Sequence, residues 1–122
     1  MILADTSVWV DHLRRGNPAL RALLDETSVA CHPFVIGELA CGTLRHRGAV
    51  LDLLARLPSA PVAQHHEALA VVESRRLMGR GLGWVDVNLL ASALLAGAEL
   101  WTLDRTLRDA AVRLGVARAE GS

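Results

Sequence analysis

Residues 2–12 read ILADTSVWVDH, a short apolar run that ends in an acidic residue and passes directly into a helical pattern. Residues 2–5 are predicted to form a strand. Thr6 or Ser7 can cap the helix that follows, which we expect to run to about Arg15. Short apolar strands alternate with longer helices along the rest of the chain. This pattern predicts an α/β domain around a parallel sheet.

Four further segments are candidates for strands of this sheet. Strands are predicted over residues 28–32, 61–64 and 99–102, and residues 116–118 can add one at the edge, giving four to five in all. Helices are predicted from Asn17 and Pro18 onward, over residues 33–44, 49–57, 65–78 and 86–95, and from Asp104 or Thr106 to about Leu114. The chain shows no repeat and no linker, so we expect residues 1–122 to form one domain.

The composition excludes several classes of protein. Apolar residues make up 52% of the chain, which excludes a disordered protein. No apolar run approaches the roughly 18 residues of a membrane span, and no secretory signal is visible, so we expect no membrane association and a cytoplasmic location. The formal net charge is +0, so attraction to nucleic acid must be local. Cys31 and Cys41 fit no zinc pattern, and we expect both to be reduced and buried.

Four acidic residues occupy positions where acids are unusual. Asp5 ends an apolar strand, Asp86 opens the most apolar helix, and Asp104 follows another apolar strand. Glu38 has apolar or small helical neighbours, which predicts that it shares the core-facing side of its helix. Because ligands gather at the carboxyl ends of strands in an open α/β sheet, the four side chains can converge there.

Converging carboxylates need something that balances their charge. Shared protons, Arg partners and a divalent cation are the three remedies for the desolvation and repulsion of such a group. A cluster of oxygen ligands alone suits Mg²⁺ or Mn²⁺ better than Zn²⁺. Such ions orient a water molecule and stabilise charge on a phosphoryl group. The pattern therefore favours metal-dependent chemistry on a phosphate ester.

Each acid also has a simpler interpretation as a structural residue. Asp5, Asp86 and Asp104 can each cap the helix that begins beside it, where the helix dipole stabilises a negative charge. Glu38 is hardest to explain in this way, because a cap does not sit one turn inside a helix.

Four stretches of the chain resemble the motifs of PIN-domain ribonucleases, and most closely those of VapC-type toxins from bacterial toxin–antitoxin pairs. They are residues 2–12, residues 37–39 (GEL), residues 83–91 (GWVDVNLLA) and residues 100–104 (LWTLD). The resemblance spans nearly the whole chain, with the motifs in the family's order. It implies a three-layer α/β/α fold with a central, mainly parallel sheet.

The resemblance also implies an activity and a set of site residues. The activity is Mg²⁺- or Mn²⁺-dependent cleavage of RNA that leaves a 5′-phosphate and a 3′-hydroxyl. Asp5, Glu38 and Asp86 match the first three acids of the family's metal site, and Asp104 matches a fourth position where relatives carry Asp or Asn. The nearby hydroxyl positions are matched by Thr6, or alternatively Ser7, and by Thr102. The family further implies a homodimer and a cognate antitoxin.

Two other functions stay open from the sequence alone. The chain can be a catalytically weak module that binds RNA or a protein partner, or a metal-dependent phosphatase acting on small esters. Trp9 and Trp84 flank acidic motifs and belong either to the core or to a protein interface. The five histidines show no metal-binding spacing. Five arginines are expected near the mouth of the cleft, where they can hold phosphates or simply face solvent: Arg14, Arg15, Arg45, Arg47 and Arg80.

Overall fold

Three short strands form a parallel sheet at the centre of the molecule. The structure, a computed structural model, describes residues 1–119. Its strands are β1 (Ile2–Ala4), β2 (Val29–Ala30) and β3 (Glu99–Trp101), in the order β2-β1-β3. Leu3 on the central strand pairs with Ala30 on one side and with Leu100 on the other. All three strands therefore end at the same edge of the sheet.

Seven helices accompany this sheet within residues 1–119. They are α1 (Thr6–Arg15), α2 (Pro18–Asp25), α3 (Pro33–Cys41), α4 (Arg47–Arg56), α5 (His65–Arg75), α6 (Trp84–Ala96) and α7 (Arg105–Leu114). α1 contacts β1, α2 and α3, and α3 contacts α4. α5 packs on α6, which also contacts β3. Across residues 1–119, each helix is too short or too polar to cross a membrane.

The sheet has fewer strands than the four to five predicted. The strand predicted over residues 61–64 is wrong, because the chain there forms no ladder and a single bridge joins Cys31 to Ser59 instead. Pro58 and Pro61 lie on either side of residues 59–60, and a proline has no N–H to donate to a neighbouring strand. At the other edge, Ala117 bridges Leu100 within the predicted segment 116–118, and up to residue 119 the pairing extends no further.

Several helix boundaries also differ from the prediction. Asp5, rather than Thr6 or Ser7, is the N-cap of α1. α6 begins at Trp84, so Asp86 is its third residue and does not open it. α3 ends at Cys41, three residues before the predicted end, because the chain turns away at Gly42. The predicted end of α5 is also too late, since Arg76 adopts a φ of 53° that terminates the helix.

The hydrophobic core lies between the sheet and the helices that pack on it. Its most deeply buried side chains come from all three strands and five helices, and include Leu3, Val8, Leu20, Val29, Val35, Leu89, Leu90, Leu100 and Leu107. Trp9 belongs to this core, whereas Trp84 is 41% exposed and its ring lies 5.2 Å from that of His65. Cys31 is buried as predicted, but the prediction for Cys41 is wrong because that residue is exposed.

His32 gives the stability of the fold a specific pH dependence. It is buried at the N-cap of α3, where its Nδ1 accepts the Phe34 N–H at 2.9 Å, which requires a neutral ring. Burial lowers the pKa of His32 below its ordinary value of 6.5. As the pH falls below about 6.5, the unfolded chain takes up a proton before the folded chain does, so the free energy of unfolding decreases by up to about 1.4 kcal/mol per pH unit.

We therefore expect His32→Asn, which retains an acceptor for the Phe34 N–H, to be less sensitive to acid than the parent. Urea unfolding of both proteins between about pH 7.5 and pH 5.5 measures the difference in slope. The carboxyls with raised pKa values are present in both proteins and cancel in the comparison. Identical slopes for the two proteins would contradict this assignment.

Candidate active site

Asp5 is the buried centre of the candidate site. It follows β1 directly and caps α1, with its Oδ1 accepting the backbone N–H groups of Ser7 at 3.0 Å and Val8 at 3.4 Å. Only 6% of Asp5 is exposed. The simpler interpretation of Asp5 as a helix cap is thus correct, but it accounts for only one of the two carboxylate oxygens.

The second oxygen of Asp5 connects β1 to the segment that follows β3. The Thr102 hydroxyl donates to Asp5 Oδ2 at 2.8 Å, and Thr102 Oγ1 also accepts the Asp104 N–H at 3.0 Å. The Ser7 hydroxyl donates to Asp5 Oδ1 at 2.5 Å and accepts the Leu103 N–H at 2.9 Å. These bonds hold the carboxyl ends of two neighbouring strands in one fixed arrangement.

Asp104 and Asp86 lie at the starts of two further helices. Asp104 is exposed and caps α7, where its Oδ2 accepts the Leu107 N–H at 3.0 Å. Asp86 is half-buried in the first turn of α6, and its Oδ2 accepts the Gly83 N–H at 3.0 Å. Their carboxylates therefore project from helix N-termini, where the backbone dipoles favour negative charge.

Glu38 faces open solvent and does not share the core-facing side of its helix, so that prediction is wrong. α3 buries Val35 and Leu39 and leaves Glu38 exposed. The Thr6 hydroxyl donates to Glu38 Oε1 at 2.6 Å. Because Thr6 follows Asp5 in the chain, this bond brings the exposed carboxylate of α3 beside the buried one at the end of β1.

Electrostatics identify which of these carboxylates lie near one another. Burial raises the pKa of Asp86, and the negative charges of Asp104 and Glu38 raise it further, while the Gly83 N–H lowers it. Burial likewise raises the pKa of Asp5, and its bonds to Ser7, Thr102 and Val8 only partly offset this effect. The structure thus brings three acids within electrostatic reach and joins Asp5 to Glu38 and Asp104 through Thr6 and Thr102.

The donor set fits a hard divalent cation that keeps part of its water shell. Within residues 1–119, no three acidic, histidine or cysteine side chains lie close enough together to form a complete cation site. Mg²⁺ commonly binds through only one or two carboxylates, and waters and substrate phosphates fill its other positions. The ion pairs Arg15–Asp11 and Arg56–Asp52 involve none of the four acids of the candidate site. A cation would relieve the repulsion that raises the pKa of Asp86.

Two polar residues, Ser7 and Asn88, make contacts that the sequence did not predict. Ser7 was only an alternative to Thr6, yet its hydroxyl bonds to Asp5 while that of Thr6 bonds to Glu38. A hydroxyl two residues after an N-cap aspartate is the signal that indicates this contact. Asn88 is buried on α6, where its Nδ2 donates to the Trp84 carbonyl at 2.9 Å. Its polarity within an apolar helix was the available signal.

Comparison with known proteins identifies the family. The profile of the PIN domain matches residues 2–113. This chain belongs to the PIN-domain family. As a PIN domain it is similar to Ribonuclease VapC32 of Mycobacterium tuberculosis, in strain CDC 1551 and in strain H37Rv. In each case 54% of 121 residues are identical, covering 98% of both chains.

These similarities confirm two predictions made from the motifs. The resemblance to VapC-type PIN domains is confirmed by the family match and by the identity to VapC32 over nearly the full length. The α/β fold with a parallel sheet is confirmed as well, with three strands where four to five were expected. The predicted single domain includes residues 120–122, which lie outside the described residues.

Proposed function

We propose that this PIN domain is a metal-dependent endoribonuclease and the toxin of a toxin–antitoxin pair. The observation that carries the proposal is that the negative charges of Glu38 and Asp104 raise the pKa of Asp86, while Thr6 and Thr102 connect Glu38 and Asp104 to the buried Asp5. Like charges that are held together repel one another, so their proximity contributes nothing favourable to stability. Identity of 54% to a ribonuclease supports the same conclusion.

In this proposal Asp5, Glu38, Asp86 and Asp104 form the site for Mg²⁺ or Mn²⁺, with one or two of these carboxylates bound directly to a cation and with water or substrate phosphate in its other positions. When bound, the cation supplies positive charge to the phosphodiester and lowers the pKa of water. Thr102 orients Asp5, and Thr6 orients Glu38, through the hydroxyl bonds described above. Such partners keep ligand oxygens in place and are expected to matter nearly as much as the ligands themselves.

The chain's own groups also determine how the RNA lies in the site. Asp5 is held from both oxygens, so it cannot swing toward the substrate and serves as the fixed point of the cluster. Glu38 and Asp104 are exposed and border the region that an incoming phosphodiester would occupy. Hydrolysis by water with loss of the 3′ oxygen leaves a 5′-phosphate on one fragment and a 3′-hydroxyl on the other.

The family resemblance also guides our proposals for partners. We propose RNA as the substrate, a cognate antitoxin as the protein partner and a homodimer as the assembly. We also propose that residues 1–122 act as a single PIN domain in the cytosol. An antitoxin that covers the acidic cluster would suppress cleavage until it is removed.

Removal of divalent cations provides the direct test of this function. We expect protein treated with EDTA to leave RNA intact, and addition of Mg²⁺ or Mn²⁺ to restore cleavage with 5′-phosphate products. Cation binding should also raise the melting temperature without any RNA, because a cation at 100 times its Kd increases the free energy of unfolding by about 2.7 kcal/mol. Unreduced cleavage in EDTA would contradict metal dependence. Hydrolysis of small phosphate esters without RNA cleavage would contradict the nuclease assignment.

A further inference from the structure

A pocket of about 370 Å³ lies between α7 and the segment that joins α5 to α6. It shares no lining residue with the larger cleft beside Thr6 and Glu38. Its lining consists of charged, polar and small residues, namely Gly79, Arg80, Thr106, Asp109, Ala110 and Arg113. The pocket is therefore a separate concavity, with a volume near the lower end of the range for small-molecule sites.

One face of α7 forms one wall of this pocket. Four lining residues follow one another on this helix at intervals of three, one and three positions, which places them on the same side of it: Thr106, Asp109, Ala110 and Arg113. At 1.5 Å per residue, Thr106 and Arg113 are about 10 Å apart along the helix axis. The wall thus carries a hydroxyl, a carboxylate and a guanidinium in succession.

The glycine-rich segment before α6 forms the opposite wall. Gly79 and Gly81 adopt φ values of 71° and 79°, which residues other than glycine rarely adopt. The Gly81 backbone approaches α7 closely, since a Cβ there would lie 3.7 Å from Thr106 Cγ2. Arg80 lies between these glycines, and its Nε donates to the Arg76 carbonyl at 2.9 Å. Within residues 1–119, this bond leaves both Nη groups of Arg80 available for a ligand.

Positive charge predominates in the pocket. Arg80, Arg113 and Asp109 are all exposed, and among residues 1–119 none of them takes part in an ion pair. Two guanidinium groups beside one carboxylate leave a net positive charge. Such a pair suits a phosphate group, because the planar fork of arginine donors matches the phosphate oxygens.

Asp109 indicates what else the ligand must present. A carboxylate accepts hydrogen bonds and donates none, so it repels a second phosphate but binds a hydroxyl group. Each phosphate of an RNA strand adjoins a ribose whose 2′-hydroxyl can donate such a bond, and DNA lacks this hydroxyl. Two arginines and a carboxylate in one small pocket therefore match a ribonucleotide unit better than a deoxyribonucleotide.

The pocket also lies near the acidic residues along the chain. Thr106 follows Asp104 by two residues, and Gly81 precedes Gly83, whose N–H donates to Asp86, by two residues. A strand that passes the carboxylates can thus continue along α7 into the pocket.

We propose that this pocket is a ribonucleotide site for the RNA strand, away from the cleaved bond. Arg80 and Arg113 bind a phosphate, and Asp109 accepts the 2′-hydroxyl of the same unit. The inference rests on the proposed function and extends it, because it names residues outside the active site that distinguish RNA from DNA.

The ratio of the affinities for RNA and DNA tests the role of Asp109. In an Asp5→Asn background, in which we expect little turnover, fluorescence anisotropy with a short labelled RNA strand and the corresponding DNA strand gives both Kd values. We expect Asp109→Ala to lower the preference for RNA roughly 10-fold, because RNA loses a hydrogen bond while DNA loses only a repulsion. Asp25→Ala removes a carboxylate from the exposed end of α2 and should leave the ratio unchanged.

A matched pair of double variants tests the arginines. Arg80→Gln/Arg113→Gln should raise Kd for RNA and for DNA roughly 10- to 100-fold, since both strands carry the phosphate. Arg21→Gln/Arg56→Gln removes the same charge from exposed positions on α2 and α4 outside the pocket, and it should bind RNA like the Asp5→Asn parent. In the active protein, Arg80→Gln/Arg113→Gln should raise KM while kcat stays near its original value.

Three outcomes would overturn the proposal. Equal loss of affinity in both double variants would mean that only overall charge matters. An unchanged ratio of RNA to DNA affinity in Asp109→Ala would reject the ribonucleotide site. Unchanged RNA binding by Arg80→Gln/Arg113→Gln would reject the pocket as an RNA site, and metal-dependent cleavage by the active protein would then show that the nuclease function is intact. An unsubstituted protein that neither binds nor cleaves RNA would instead overturn the proposed function itself.

Discussion

Asp5→Asn should reduce metal-dependent RNA cleavage by at least about 100-fold while the domain stays folded. Asp5 is 6% exposed and accepts hydrogen bonds on both oxygens, so its position is the most tightly defined of the four acids. Loss of an outer partner of a metal ligand alone typically lowers activity or affinity about 10- to 100-fold, and loss of a ligand charge should exceed that. Initial rates of cleavage with Mg²⁺ or Mn²⁺ measure the effect.

The substitution leaves the structural role of Asp5 largely in place. Asn caps helices about as well as Asp, and its amide oxygen can still accept the Ser7 and Val8 N–H groups. The melting temperature should therefore change little, whereas its increase on addition of Mn²⁺ should be reduced or lost. Asp25→Asn removes one carboxylate from the exposed end of α2 and is the matched control, with full activity expected. Cleavage by Asp5→Asn at the rate of the unsubstituted protein would show that Asp5 is not part of the active site.

Leu3→Ala should destabilise the domain more than any substitution on its surface. Leu3 has no exposed surface and lies on the central strand, between Ala30 and Leu100. Truncation of a fully buried leucine typically lowers the free energy of unfolding by about 3–5 kcal/mol, because it removes apolar contacts and leaves a cavity. Domains of ordinary size are stable by only about 5–15 kcal/mol, so the variant would be close to unfolding.

Urea unfolding at one fixed protein concentration tests this expectation. The midpoint should fall strongly while the m-value stays near that of the parent. Leu53→Ala is the matched control, because Leu53 is 62% exposed on α4 and its truncation should change stability by less than about 0.5 kcal/mol. A Leu3→Ala midpoint equal to that of Leu53→Ala would show that β1 does not lie in the core.

The sequence determined those features that depend on near neighbours in the chain. Proline at the start of α2 and α3, the Asn17 cap, and the glycines that follow α1, α6 and α7 are local signals, and these helices begin or end where the signals stand. The acids that follow β1 and β3 were found for the same reason, since an acid after an apolar strand is visible without any tertiary contact. Their placement at one edge follows from parallel pairing.

Only the tertiary structure decided how the acids face one another. Asp5 meets the Thr102 hydroxyl across 97 positions in the sequence, a contact that no local signal encodes. α3 is apolar on nearly every side, so its pattern wrongly predicted that Glu38 faces the core, and packing of Val35 and Leu39 turned that carboxylate outward. Residue spacing defines the faces of a strand or helix, but the free energy of burying one face against distant parts of the chain selects which face points inward.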